Sequence, residues 1–157
     1  MLEIKLTQNK IAMVDGEDFE TLNKYKWYAK KFKNTFYAAR NIRLENGKQK
    51  TILMHSIIMQ TPVGMMVDHR NGDGLNNQRN NIRIVTRRQN AQNRHDNSSS
   101  KYPGVNWNNE KNKWQSSITI NNKCKFLKRC DNELDAYVAY LKALKNINEI
   151  CIYEGAI

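Results

Sequence analysis

Asp68 and His69 stand side by side in "VDHRNGDGLNNQRNNIRIVTRRQNAQNR", Val67 to Arg94. Asp68 offers a hard anionic oxygen, the donor type that magnesium prefers. His69 titrates near neutrality and can take a proton from water. Successive residues of a strand point to opposite faces, so both side chains serve one site only where the strand ends or bends. Arg70 to Gly74, "RNGDG", supplies such an ending. Asn90 adds an amide oxygen, a neutral but hard ligand. Five arginines, Arg79, Arg83, Arg87, Arg88 and Arg94, follow with no acid from Arg79 to Arg94. Such a set could draw a proton from water beside a metal ion in a positively charged setting.

The elements that must position these groups read directly. A strand ends at His69, a turn follows, and "NIRIV" forms a second strand. Thr86 is an N-cap, and "RRQNAQNR" makes a short helix with Asn90 about one turn in, facing back toward Asp68. A metal would lie between hairpin and helix. Upstream, "LEIKLTQNKIAMVD" predicts two short strands around Gln8-Asn9. Asp15 to Asp18 cap a helix over residues 17–28, with Phe19, Leu22, Tyr25 and Lys26 at helical spacing. "TFYAARNIRL" and "KQKTILMHSIIM" flank "ENGK", a hairpin signal.

Downstream, residues 96–101 form a polar linker without periodicity. The division expected is therefore residues 1–95, linker 96–101 and residues 102–157. "GVNWNN", "KWQSSITI" and "KCKFLKR" read as three strands, with Asn121-Asn122 as the tight turn of a hairpin. Leu134, Tyr137, Val138, Leu141 and Leu144 follow the spacing of one helical stripe, expected to be core against those strands. Glu133 and Asp135 begin this helix and Lys142 and Lys145 end it, as the macrodipole favours.

Net charge is +11 with a pI near 9.7, spread along the chain. A globular chain this basic is expected to meet a polyanion, most often nucleic acid. Cys124, Cys130 and Cys151 lack CxxC spacing and are odd in number, so reduced core thiols are expected and not a disulfide framework. No apolar run has the length of a membrane span, and "MLEIKLTQNK" does not read as a signal peptide. A cytoplasmic location is expected, in whatever cell makes the chain.

Residues 67–94 resemble the HNH endonucleases of the phage and intron-associated kind, which have a ββα-metal core. The resemblance rests on Asp68-His69, then "NNIR", then the Asn90 and Asn93 pair. Asn81 stands 12 positions after His69 and Asn90 a further 9. The resemblance implies that His69 is the general base activating water against a phosphodiester. It implies that Asp68 and Asn90 hold one divalent metal ion, magnesium with manganese as a substitute. Asn81 would tie the loop that orients His69, and Asn93 matches a further asparagine of the subgroup. The five arginines would hold flanking phosphates; the alternative for each is that it only keeps the helix soluble. This chain reads Leu75, Asn76, Asn77, Gln78 where the subgroup usually has "LDNR". Ser56 stands in place of an arginine in "LMHSIIM". His55 either orients the site, contacts phosphate, or is a packed structural histidine.

Residues 100–144 resemble the APETALA2/ethylene-response-factor DNA-binding domain, through "YPGV", "KW", the hairpin and the Ala- and Tyr-rich helix. The fold implied is a three-stranded antiparallel sheet on one helix, with the sheet toward the DNA major groove. Alternation puts Trp114, Ser116, Ile118 and Ile120 on one face. Gln115, Ser117 and Thr119 fall on the other, beside Asn106 and Asn108, and suit base-edge and phosphate contacts. Lys111, Lys113 and Lys125 would add backbone attraction. Trp107 and Trp114 read as core. Pro103 and Lys128 depart from the pattern, and the arginines that read guanine in the plant proteins are largely absent, so no base preference is implied.

The expectation is an α+β chain: a ββα-metal nuclease core with an N-terminal α/β extension, then a small three-stranded antiparallel sheet plus one helix. The expected function is metal-dependent hydrolysis of double-stranded DNA, addressed by the C-terminal module, with no membrane or small-molecule substrate. No heptad or long apolar patch speaks for association, so a monomer or weak dimer is expected. The alternative is a non-catalytic DNA-binding protein that keeps the nuclease shell. An RNA-binding or structural nucleoprotein would fit the charge but leave Asp68, His69, Asn81 and Asn90 without a purpose.

Overall fold

Gln8 and Asn9, both at positive φ, close the first hairpin, in which β1 (Leu2–Lys5) pairs antiparallel with β2 (Ile11–Val14). In this computed structural model, which describes residues 1–33, 35–93 and 98–153, the chain divides into two units, Met1–Asn90 and Ala91–Ile157. Both mix short helices with small antiparallel sheets. Among the described residues, no helix is long and apolar enough to cross a membrane.

In the first unit, α1 (Gly16–Leu22) is shorter than the helix expected over 17–28. Trp27 ends it from below. Its buried indole donates to the Leu22 carbonyl at 2.8 Å, taking a carbonyl that a longer helix would use internally. The chain then enters β3 (Tyr28–Phe32), of which only Tyr28 fell within the expected helix. β3, β4 (Thr35–Arg43) and β5 (Gln49–Leu53) form a three-stranded antiparallel sheet with β4 central. Gly47, at φ +77°, turns β4 into β5 at the "ENGK" signal. The expected second strand of that hairpin stops at Leu53, and α2 (Met54–Ile58) follows. Met54 and Ile58, four residues apart on one helical face, are buried with Ile4, Val14, Leu22 and Trp27 in the core of the unit. Full burial of a side chain like Met54 contributes about 2–3 kcal/mol.

β6 (Met66–His69) pairs antiparallel with β7 (Ile82–Val85), and α3 (Arg87–Asn90) follows at once. α3 packs on β6 and β7. This strand–turn–strand–helix order is the one read from the sequence, although the helix has four residues and not the eight of "RRQNAQNR".

The second unit contains β8 (Val105–Asn108), β9 (Lys113–Ile120), β10 (Lys123–Cys130) and α4 (Glu133–Lys145), with β9 central. Asn121 and Asn122, at φ 51° and 60°, make the two-residue turn. Asn132 caps α4 by accepting from the Leu134 amide at 2.7 Å. The face of α4 is rotated from the expected one. Ala136, Tyr137, Tyr140 and Leu144 are buried, whereas Leu134, Val138 and Leu141 are exposed. Gly104 explains the rotation, since any Cβ there would strike the Tyr140 ring. A bare backbone and small Ala136 let Tyr140 join the expected Tyr137 against the sheet, in place of Leu134, Val138 and Leu141. Of the cysteines, all free, Cys130 is buried and Cys151 half-buried, but Cys124 is exposed and not a core thiol. Part of the expected linker, residues 96 and 97, lies outside the described residues.

Candidate active site

Asp68 and His69 are both buried, at 6% and 5% exposure, at the end of β6. The turn begins at once, with Gly72 N–H donating to the His69 carbonyl at 2.9 Å. The two side chains have different neighbours. Asp68 sits opposite Arg83 in the ladder, and the Arg83 guanidinium meets Asp68 Oδ2 from both Nε and an Nη at 3.0 Å. His69 lies among rings. Its centroid is 5.0 Å from that of His55 on α2 and 5.6 Å from that of Tyr37 on β4, and Tyr37 is 5.4 Å from His55. Gly74 permits this cluster, because a Cβ there would lie 2.5 Å from Tyr37 Cε1 and from the Phe36 carbonyl.

Asn77 fixes His69. Its side chain is fully buried, with Oδ1 3.4 Å from His69 Nε2 and Nδ2 donating to the Leu75 carbonyl at 3.1 Å. Because the amide nitrogen is committed to Leu75, the oxygen faces the histidine and accepts. The neutral ring therefore carries its proton on Nε2 and keeps the lone pair on Nδ1, an assignment made from the hydrogen-bond network. Burial lowers the His69 pKa, while the bond to Asn77 and the charges of Asp68 and Asp73 oppose the shift. The ring is thus neutral near pH 7, the state a general base needs. Burial and the neighbouring His69 push His55 down to about 3. Burial, then the Asp68 charge, raises the Tyr37 hydroxyl. His55 is thus neutral near pH 7 and packed against two rings.

Asn81 clamps the turn from both sides. Its Nδ2 donates to the Asn76 carbonyl at 2.8 Å, its Oδ1 accepts from Asn71 N–H at 3.2 Å, and its carbonyl accepts from Arg70 N–H at 2.9 Å. The returning segment is sewn to β2. Met13 N–H donates to Leu75 O at 2.9 Å and Asn77 N–H to Met13 O at 2.8 Å. Asp15, placed at the N-cap of α1, makes no side-chain cap bond. It accepts instead from Arg79 N–H at 2.8 Å and Gln78 Nε2 at 3.2 Å. The Arg79 amide, above all, holds the Asp15 carboxyl below its ordinary range. Asn76, Asn77 and Gln78 are thus each built into the loop.

The arginines divide. Arg79 forms a fork with Asp18, at 2.9 and 2.7 Å, and meets Glu17 at 2.5 Å. These partners are acids of α1, and the Arg79 backbone N–H on Asp15 ties the loop to the start of that helix. Arg83 is half-buried on Asp68. Arg87 is exposed and Arg88 half-buried on α3. Arg94 lies outside the described residues, and Asn93 falls in the second unit. Thr86 and Gln89 cap α3 reciprocally, Thr86 N–H donating to Gln89 Oε1 at 2.9 Å and Gln89 N–H to Thr86 Oγ1 at 3.2 Å. That cap starts the helix that carries Asn90, half-buried, against the strand that carries Asp68. Among the described residues, no three His, Cys, Asp or Glu side chains group to hold a metal. Asp68 offers a carboxylate and Asn90 an amide oxygen, donor types that a hard divalent ion takes.

In the second unit, Asn106 pairs with Gln115 and Asn108 with Lys113, so these four share the outward face with Ser117 and Thr119. Asn108 Nδ2 donates to Gln115 Oε1 at 3.1 Å, and the Lys113 ammonium sits on Asp131. Lys125 pairs with Ile118 and so belongs to the opposite face. Arg129, opposite Gln115, joins the outward face with its guanidinium 5.4 Å from the Phe126 ring centre. Trp107 and Trp114 pack edge to face, 5.1 Å apart.

Sequence reasoning missed Asn77, Tyr37 and Asp15. The amide run "LNNQ" held the only local sign of Asn77. Tyr37 and Asp15 act across long sequence separations that no spacing rule reaches. Among known proteins, residues 60–92 match the model of a family described as HNH endonuclease. No curated protein and no solved structure matches the chain. The matched segment runs from before β6 to past α3 and contains Asp68, His69, Asn77, Asn81 and Asn90.

Proposed function

We propose that the chain is a metal-dependent DNA endonuclease of the phage or homing type, addressed by the outward sheet face of its second unit. The observation that carries this reading is the buried, neutral His69, held through Nε2 by Asn77 beside Asp68, inside the segment that matches the HNH endonuclease family. His69 Nδ1 takes a proton from water as its oxygen attacks phosphorus. The bond from phosphorus to the 3′ oxygen breaks, and its electron pair leaves on that oxygen. Asp68 and Asn90 would hold one divalent ion, magnesium or manganese. When bound, such an ion supplies positive charge to the phosphate and leaving oxygens, where negative charge grows. Asn81 holds the turn that sets the end of β6, and Tyr37 and His55 pack the imidazole away from bulk water. Arg87 and Arg88 would meet flanking phosphates.

The Arg83–Asp68 pair favours a second reading. A guanidinium that already neutralises Asp68 would suit a non-catalytic DNA-binding shell. Nicking of supercoiled plasmid with magnesium or with chelator decides between the two. Cleavage lost in Asp68→Ala while DNA affinity persists supports the enzyme, and no metal-dependent cleavage supports the shell.

A further inference from the structure

Residues 28–53, which form β3, β4 and β5, carry seven basic residues and one acid, Glu45, a net +6 of the chain's +11. No role in the nuclease chemistry uses them. Register sorts the sheet into two faces, since residues directly opposite one another project to the same side. Lys30 pairs with Tyr37, Tyr28 and Leu53 with Ala39, Asn41 with Thr51, and Arg43 with Gln49. One face therefore runs from Tyr37, whose ring touches His69, out to Lys30, Asn41 and Arg43, all exposed.

At the middle of that face, Asn41 is preset. Its Oδ1 accepts from Tyr28 Oη at 3.1 Å and from Thr51 Oγ1 at 3.0 Å. With the amide oxygen doubly engaged, the two N–H groups of Nδ2 are what remains to offer. Among the described residues no acceptor meets them. Asparagine reads adenine by using oxygen and nitrogen together. Here only donors are left, and donors between two cations suit an oxygen-rich anion such as a phosphate.

We propose that this face, centred on Asn41 with Lys30 and Arg43, is a second DNA-docking surface that holds the phosphate backbone flanking the bond cut at His69. Charge complementarity and continuity with His69 through Tyr37 both favour duplex DNA as the occupant. The assignment rests on the nuclease reading for its position relative to the cut, but not for the binding itself.

The test measures affinity of the full chain for mixed-sequence duplex DNA, without divalent metal, over a series of salt concentrations. Each phosphate contact adds about 0.9 to the slope of log affinity against log salt. Lys30→Gln with Arg43→Gln should lower that slope by roughly 2 and weaken binding about tenfold or more near physiological salt. Asn41→Leu should weaken binding several-fold and leave the slope nearly unchanged. Lys31→Gln with Lys50→Gln removes the same charge from the opposite face and should have a clearly smaller effect. An unchanged slope in the folded Lys30/Arg43 variant overturns the proposal, as does an equal loss in the Lys31/Lys50 control. A loss confined to single-stranded RNA, run in parallel, overturns the choice of DNA. Wild-type cleavage, measured separately, tells this failure from failure of the nuclease reading. A slope that falls in a chain that never cuts leaves the docking surface standing alone.

Discussion

His69 Nε2 lies 3.4 Å from Asn77 Oδ1, and the Asn77 amide cannot turn over without losing its bond to Leu75. One buried amide thus selects the tautomer of the proposed base. Replacing Asn77 by leucine should lower kcat about 10- to 100-fold with little change in KM, the range of a misoriented general base. Asn77→Asp keeps an acceptor and adds negative charge. It should raise the His69 pKa and move the acid limb of the rate profile to higher pH, because the base works only when neutral. Cleavage rates across pH, with imidazole nitrogen chemical shifts by NMR, check both. Equal rates and an unchanged tautomer in Asn77→Leu would remove Asn77 from the account.

Arg83 neutralises Asp68 at 3.0 Å. Removing one partner of a buried pair leaves an uncompensated charge. Arg83→Gln should therefore lose about 1–3 kcal/mol of stability in chelator. The carboxylate, with one cation fewer beside it, then gains more from an added one, so manganese should raise the melting temperature further in the variant than in the wild type. Thermal unfolding with and without manganese measures both effects. The opposite ranking would mean that the metal does not compete for Asp68.

His55 governs acid sensitivity. Unfolded, the ring titrates near 6.5, and folded it titrates at about 3. Between those values the unfolded chain binds more protons, so stability falls as pH drops from 6.5 toward 3 and is fully present above 6.5. The largest loss this one group can cause is roughly 5 kcal/mol. His69, also lowered by burial, acts in the same direction. His55→Phe should flatten the fall, read from denaturant unfolding at several pH values. A variant as acid-sensitive as the wild type would place the sensitivity elsewhere.

Gly104 lies at φ +74° under the Tyr140 ring. Gly104→Ala should cost about 1–3 kcal/mol or more, combining left-handed backbone strain with an overpacked contact. Chemical denaturation of the full chain reads the loss. A neutral substitution would contradict the packing given for α4.

The strand, turn, strand and helix around Asp68 and His69 were legible because their signals are local. "NIRIV" alternates at Ile82, Arg83 and Ile84, "RNGDG" turns, and Thr86 caps the helix that follows. The partners of the site were not legible, because contacts distant in sequence set them. Asp15 looks like a plain helix cap until its carboxylate is found on Arg79, 64 positions away. The indole of Trp27 shortened α1, and the bare backbone of Gly104 turned α4 so that Leu134, Val138 and Leu141 face outward. Periodicity reports that a helix has an apolar side, but a neighbour's shape selects which apolar residues go in.

The central claim is that His69 is the base of a metal-dependent cut. Supercoiled plasmid and source-genome DNA incubated with the wild-type chain and with His69→Ala, in magnesium and in chelator, test it most directly. The wild type should nick in magnesium and not in chelator, and His69→Ala should lose at least about 100-fold, the contribution expected of a positioned base. Equal nicking by wild type and His69→Ala, or no metal-dependent nicking on either DNA, would contradict it.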